Sequence, residues 1–160
     1  MQWLALVSTV VGALIGVGST LIADRLRWSR DRSKATYEAR RQLYSDFLAD
    51  LSVTRDAVRA VGRGYLDADV PRQQAANDAF QSANLYSRRY QVSISAPPEV
   101  VGAATVTFRS LRRLRDVVAS SHDNESEEYV TERERYDAAL SMLIERMRDD
   151  LGPITGQGRT

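Results

Sequence analysis

Residues 37–61 read YEARRQLYSDFLADLSVTRDAVRAV. Apolar side chains recur in this stretch every seven residues, at Tyr37, Tyr44, Leu51 and Val58. Phe47, Leu48, Thr54 and Val61 fill adjacent positions of the same pattern. Such spacing is typical of a helix with one apolar face. The stretch therefore predicts an amphipathic helix, which Gly62 and Gly64 would end.

Three more segments, residues 72–90, 95–120 and 125–151, show helical spacing. Residues 91–96, QVSISA, alternate briefly and could be extended, although six residues cannot make a sheet alone. The last helix is predicted to bury one face: Val130, Arg133, Tyr136, Leu140, Leu143, Ile144, Met147 and Leu151. Short connections favour antiparallel neighbours. We predict an all-α antiparallel four-helix bundle, with an extended two-hairpin arrangement as the alternative.

The other decisive stretch is residues 1–23, MQWLALVSTVVGALIGVGSTLIA, which has no charged side chain. All 22 Lys and Arg and all 21 Asp and Glu follow it. About 20 apolar helical residues match a hydrocarbon core of roughly 30 Å. The stretch predicts a transmembrane helix that continues into the bundle. A cleaved signal peptide is disfavoured because a basic start is missing, and a buried soluble helix because the other segments are amphipathic.

The segment after this stretch is basic. We assign its cations and the two tryptophans to the membrane interface: Trp3, Trp28, Arg25, Arg27, Arg30, Arg32 and Lys34. The positive-inside rule places the N-terminus outside a cell membrane and the rest of the chain in the cytoplasm. The predicted domains are a transmembrane helix (1–23), a basic juxtamembrane helix (24–36), the helical bundle (37–151) and a flexible tail (152–160).

Small side chains line one face of the predicted span, at Ser8, Gly12, Gly16 and Thr20. Small residues four positions apart allow two helix backbones to approach closely in lipid. The face predicts association with a second copy or with another membrane protein. Many such matches in membrane helices pack against nothing, which is the alternative.

Composition limits the chemistry. The chain has no Cys and one His, so it lacks thiolate ligands and a multi-histidine metal site. We predict no cofactor, no metal site and no catalytic activity. Glu125, Glu127, Glu128, Glu132 and Glu134 crowd the start of the last helix, where solvated acids would favour the helix dipole and pair with Arg133 and Arg135.

A basic cluster follows in the helix of residues 95–120, at Arg109, Arg112, Arg113 and Arg115. Arg88 and Arg89 could add to it. The cluster is a candidate anion contact for lipid headgroups or nucleic acid. An ordinary solvated face that meets acids of a neighbouring helix is the alternative. The net charge of +1 disfavours nucleic acid as a partner.

The segment VSTVVGALIGVGSTLIADRLRWSRDR, followed by RRQLYSDFLADLS, resembles a group of short single-pass membrane proteins of actinobacteria. The resemblance covers roughly the first 60 residues and implies an anchored helix. It implies no activity and no site residues.

These observations favour a membrane-anchored helical interaction or scaffold protein that associates with itself. The alternatives are a membrane-tethered regulatory or sensory module, which would bind a small molecule or lipid headgroup between its helices, and a nucleic-acid contact through the basic cluster. A pocket with convergent polar groups would favour the regulatory module, whereas a filled core would argue against it.

Overall fold

The computed structural model describes residues 34–64, 69–120 and 126–152. Within these ranges the chain is helical, with short turns and no β-strand. The helical segments are α1 (residues 34–62), α2 (Arg72–Gln81), α3 (Leu85–Ser95), α4 (Pro98–Ser120) and α5 (Glu127–Leu151). The predicted all-α class and helical bundle are thus confirmed.

The chain divides into two compact units, Met1–Ala39 and Arg40–Thr160. The bundle belongs to the second unit. Within the described ranges, no helix has both the length and the apolar character needed to cross a bilayer. The predicted transmembrane helix (1–23) lies outside the described residues, as do the juxtamembrane helix up to residue 33 and the tail after Gly152.

Most of the predicted apolar face of α1 is buried, whereas Tyr37 and Leu48 are half-buried. Its buried side chains within the second unit are Tyr44, Phe47, Leu51, Thr54, Val58 and Val61. Each lies three or four residues from the next, which places all of them on one helix face. The hydroxyl of Thr54 donates to the carbonyl oxygen of Asp50 at 2.8 Å, so burial leaves it paired.

Two short helices, α2 and α3, replace the single helix predicted over residues 72–90. Phe80 and Leu85 are both 0% exposed. Five positions apart on an unbroken helix, they would point roughly 140° apart. The break at residues 82–84 allows both to reach the core.

The extended conformation that the sequence left open for residues 91–96 is not adopted, since α3 continues to Ser95 and the amide of Ala96 donates to the carbonyl of Val92 at 2.9 Å. Val92 is buried whereas Ile94 is 84% exposed. The alternation in the sequence therefore reflects one core residue and one surface residue of a helix.

The helix α4 is central to the bundle. It begins at Pro98 with Glu99 in its first turn, close to the predicted start. Of the helices that follow α1, it packs most extensively against α5, and then against α2 and α3. The Thr107 hydroxyl, which is fully buried, lies 3.0 Å from the carbonyl oxygen of Ala139 in α5 and joins the two helices.

The helix α5 begins after Ser126, whose hydroxyl accepts from the amide of Tyr129 at 3.3 Å. Its buried face consists of Tyr129, Glu132, Tyr136, Ala139, Leu143 and Met147, of which Tyr136, Leu143 and Met147 belong to the predicted face. Of the predicted face, Val130, Arg133, Leu140, Ile144 and Leu151 are only half-buried. The prediction missed Glu132 and Ala139 because their side chains have little apolar character, although both occupy core positions.

Side-chain contacts at the two ends of the bundle establish the directions of the helices. Arg72 donates to the carbonyl oxygens of Gly62 at 3.0 Å and Val118 at 2.7 Å, which joins the end of α1, the start of α2 and the end of α4. Asp150 near the end of α5 accepts from Arg40 at 3.0 Å. The helices therefore alternate in direction, and α2 and α3 together form the second of four antiparallel segments.

Candidate functional site

A cavity of about 190 Å³ lies between α3 and α4. Four of its lining residues belong to α3 and three to α4: Arg89, Tyr90, Val92, Ser93, Val101, Ala104 and Thr105. We call it the α3–α4 groove. Cavities of this kind, with a largely apolar wall and a few polar groups, are the usual form of small-molecule sites, although this one is smaller than most.

Arg89 is the charged residue of the groove. Its guanidinium carbon lies 4.7 Å from the ring centroid of Phe108 and 5.2 Å from that of Tyr90. Both distances are those of cation–π contacts, which hold the planar group in place. The Nε atom is buried and has no hydrogen-bond partner among the described residues. A buried donor without an acceptor costs free energy that an incoming acceptor would recover.

The neighbouring Arg88 differs in its partners. Its guanidinium lies 3.2 Å from carboxylate oxygens of Asp46 and of Asp50, both on α1. It also donates to Gln91 at 3.2 Å. Arg88 therefore joins α3 to α1, and these two acids of α1 are engaged with it instead of with Arg89.

The hydroxyls of the groove are already engaged as donors. Ser93 donates to the carbonyl of Tyr90 at 2.7 Å, and Thr105 donates to the carbonyl of Val101 at 2.8 Å. Their oxygen lone pairs remain as acceptors. Val92 and Ala104 are 0% and 1% exposed and form the apolar wall. The groove thus offers one cation, two acceptors and an apolar surface.

An aromatic cluster supports the groove from the α2 side. The Phe108 ring centroid lies 5.7 Å from Phe80 and 5.1 Å from Tyr86, edge to face in both cases. Tyr86, Tyr90 and Ile94 follow one another at four-residue spacing on α3 and are 43%, 59% and 84% exposed. Beside the groove, α3 therefore presents large apolar side chains to solvent.

The four arginines of the predicted basic cluster have two kinds of surroundings in the structure. Arg109, Arg112 and Arg113 are exposed. Arg115 is half-buried, with its guanidinium carbon 5.0 Å from the ring centroid of Phe80 and its Nη1 donating to Asn77 at 2.9 Å. It also pairs with Asp116 at 2.6 Å. Arg115 therefore fastens α4 to α2, which leaves three arginines for an outside anion.

The other predicted site residues lie mainly outside the described ranges. These are the helix-association face (Ser8, Gly12, Gly16 and Thr20) and the interface residues Trp3, Trp28, Arg25, Arg27, Arg30 and Arg32. Lys34, the last of the interface set, is described and exposed.

The acids of α5 are only partly solvated. Glu132 is buried and forms an ion pair with Arg135, as the sequence predicted, but one of its carboxylate oxygens has no partner among the described residues. In the described part of the chain, no group of three or more His, Asp or Glu side chains is arranged to hold a metal ion.

Sequence reasoning named Arg89 as an addition to the basic cluster but did not identify the groove. The available signal was Arg89 between Tyr86 and Tyr90, a cation among aromatic residues. Its ring partner Phe108 comes from another helix, which local spacing does not reveal. Comparison with protein-family models, curated proteins and solved structures finds no match.

Proposed function

We propose that this protein is a membrane-anchored helical interaction protein without catalytic activity, held by a transmembrane helix over residues 1–23 that continues through the basic segment into the bundle. The bundle would lie in the cytoplasm. The observation that carries the proposal is the uncharged stretch itself, followed by the five basic residues of 24–36.

Membrane fractionation of the full chain tests the anchor. We expect the protein to stay in the membrane fraction after washing with high salt and with alkaline carbonate, because a spanning helix is held by apolar burial. Leu14→Arg, which places a charge in the middle of the stretch, should reduce membrane retention. Release of the unaltered protein by high salt alone would contradict a spanning helix and indicate an electrostatic contact.

Self-association is proposed through the face formed by Ser8, Gly12, Gly16 and Thr20. In bilayers, Gly12→Leu/Gly16→Leu should shift the protein towards the monomer, because larger side chains separate the helix backbones. Val10→Leu/Leu14→Phe enlarges the opposite face and is the matched control. Equal oligomeric states for wild type and both variants would remove this part of the proposal.

A second candidate function is a membrane-tethered regulatory module that binds a small molecule between its helices. The α3–α4 groove is the observation that favours it, because Arg89 lacks a partner for Nε there. The nucleic-acid alternative gains less support, since Arg115 is engaged with Asn77 and Asp116.

A further inference from the structure

We propose that the α3–α4 groove binds a small organic carboxylate with a compact apolar body. The carboxylate would pair with Arg89, and the apolar body would lie against Val92, Val101 and Ala104. The inference rests on the second candidate function and adds the chemical class of the ligand.

The charge of the ligand follows from Arg89. Its guanidinium is a cation that forms no ion pair among the described residues, whereas the neighbouring Arg88 pairs with two acids of α1. Its Nε is buried without an acceptor. A guanidinium presents parallel N–H donors that match the two oxygens of a carboxylate. The rings of Phe108 and Tyr90 already restrict the group, so less side-chain entropy is lost when a ligand binds.

A monoanion fits the groove better than phosphate. Arg89 is the single cation among the lining residues, and Val92 and Ala104 are apolar and buried. A second negative charge would lie against an apolar wall without a counter-ion, which is costly. The hydroxyls of Ser93 and Thr105 donate to their own helices, so they offer no donors to further phosphate oxygens.

The size of the cavity limits the apolar body. About 190 Å³ corresponds to several water molecules at about 30 Å³ each. That space suits a short aliphatic chain or one aromatic ring. The Tyr90 ring, stacked beside Arg89 and 59% exposed, offers one side of the entrance.

Binding of three probes to the full chain in neutral phosphatidylcholine nanodiscs tests the inference: benzoate, its uncharged analogue benzamide, and inorganic phosphate. We expect benzoate to bind with a Kd of about 1 mM or tighter, the range for a ligand of this size. Benzamide and phosphate should each bind at least about tenfold more weakly, since either the charge or the apolar fit is lost.

Two substitutions locate the site. Arg89→Gln should weaken benzoate binding by about tenfold or more, whereas the matched control Arg109→Gln, an exposed arginine of α4 outside the lining, should change it by less than about twofold. Ala104→Leu fills the cavity while keeping Arg89 and should also abolish binding. Circular dichroism of each variant establishes that it remains helical. If Ala104→Leu unfolds, Thr105→Met, which narrows the same cavity, replaces it.

The outcomes separate the two levels of the proposal. Equal binding of benzamide and benzoate, or tighter binding of phosphate, would overturn the carboxylate class while the groove remained a binding site. Weakening by Arg109→Gln as large as that by Arg89→Gln would overturn the location. Failure of all three probes to bind would overturn both this inference and the regulatory module, and would leave the proposed anchor untouched.

Discussion

Tyr44 and Tyr136 are two buried phenols whose hydroxyls differ in their surroundings. Their side chains are 2% and 0% exposed. The Tyr44 hydroxyl donates to Oδ2 of Asp150 at 2.6 Å, and Arg40 donates to the same carboxylate. The Tyr136 hydroxyl has no hydrogen-bond partner among the described residues. The two tyrosines therefore form a natural pair for measuring a buried hydroxyl with and without its partner.

Replacing each tyrosine by Phe should affect the free energy of unfolding differently. Tyr44→Phe removes a hydrogen bond to a charged group and should lower the free energy of unfolding by about 1.5–3 kcal/mol. Tyr136→Phe removes an unpaired polar atom from the core and should leave stability unchanged or raise it by up to about 1 kcal/mol. Urea unfolding at neutral pH measures both. Equal losses in the two variants would mean that the Tyr136 hydroxyl has a partner.

The same tyrosines predict a loss of stability at alkaline pH. Burial raises the pKa of Tyr136 to about 12. Burial, and then hydrogen bonding to Asp150, raises the pKa of Tyr44 even further. An unfolded tyrosine has a pKa of about 10, so the folded state retains more protons above that pH. The stabilisation is complete below about pH 10 and is lost as pH rises through the folded pKa values.

Urea midpoints measured between about pH 8 and 11.5 should therefore fall above about pH 10, and fall less steeply in Tyr44→Phe/Tyr136→Phe. Ultraviolet absorbance supplies an independent check, because the part of the phenolate signal that develops last should be smaller in Tyr44→Phe/Tyr136→Phe than in wild type. An unchanged late signal in this variant would contradict the shifts.

At the scale of the helices, the position of a glycine determines whether its replacement by alanine raises or lowers stability. Gly102 lies in the interior of α4 on its exposed side, and a Cβ atom there would meet nothing within 4 Å. Gly64 follows α1 with a φ of +83°, a conformation that L side chains rarely adopt. The two substitutions to alanine should therefore differ in sign.

Gly102→Ala should raise the free energy of unfolding by about 0.5–1 kcal/mol, since alanine favours a helix interior. Gly64→Ala should lower it by about 1 kcal/mol or more, because the backbone conformation becomes strained. Thermal unfolding followed by circular dichroism compares both variants with wild type. A stabilising Gly64→Ala would show that the turn after α1 rearranges easily.

The helices differ in how well their sequences predict them. The face of α1 is predictable because its core residues are large and evenly spaced. In α5 the pattern is misleading, because the core accepts Glu132 while its partner Arg135 lies at the surface. In α3 the alternation of Val92 and Ile94 looks strand-like, and packing against α4 overrides that local preference.

For the molecule as a whole, the order of the helices can be tested by cross-linking. The chain has no Cys, so introduced pairs are the only thiols. Asp50→Cys/Arg88→Cys replaces two side chains that lie 3.2 Å apart between α1 and α3. A short bis-maleimide should join this pair efficiently within one chain.

The control pair is Asp50→Cys/Asn77→Cys. Asn77 lies on α2, on the other side of the break at residues 82–84 from residue 88, and accepts a hydrogen bond from Arg115 of α4. This pair should cross-link poorly with the same reagent, as judged by electrophoretic mobility and peptide mass. Efficient joining of both pairs would contradict the alternating order of the helices.

The candidate site lies beyond what local pattern can predict. Helical spacing assigns residues to faces but does not say which face of α3 meets which face of α4. Arg89 and Phe108 come together only because the break at residues 82–84 turns α3 towards α4. The arginine cluster of α4 is visible in the sequence, yet the engagement of Arg115 with α2 is not.

The contact of Arg40 and Tyr44 with Asp150 also has a mechanical consequence. The start of α1 and the end of α5 lie side by side at this contact. Tension applied between residues 40 and 151 therefore separates α5 from α1 one contact after another, beginning here. Contacts broken one after another resist less force than contacts loaded together. A bundle pulled from these two ends would therefore unfold at low force. Optical tweezers attached at residues 40 and 151 should record this opening.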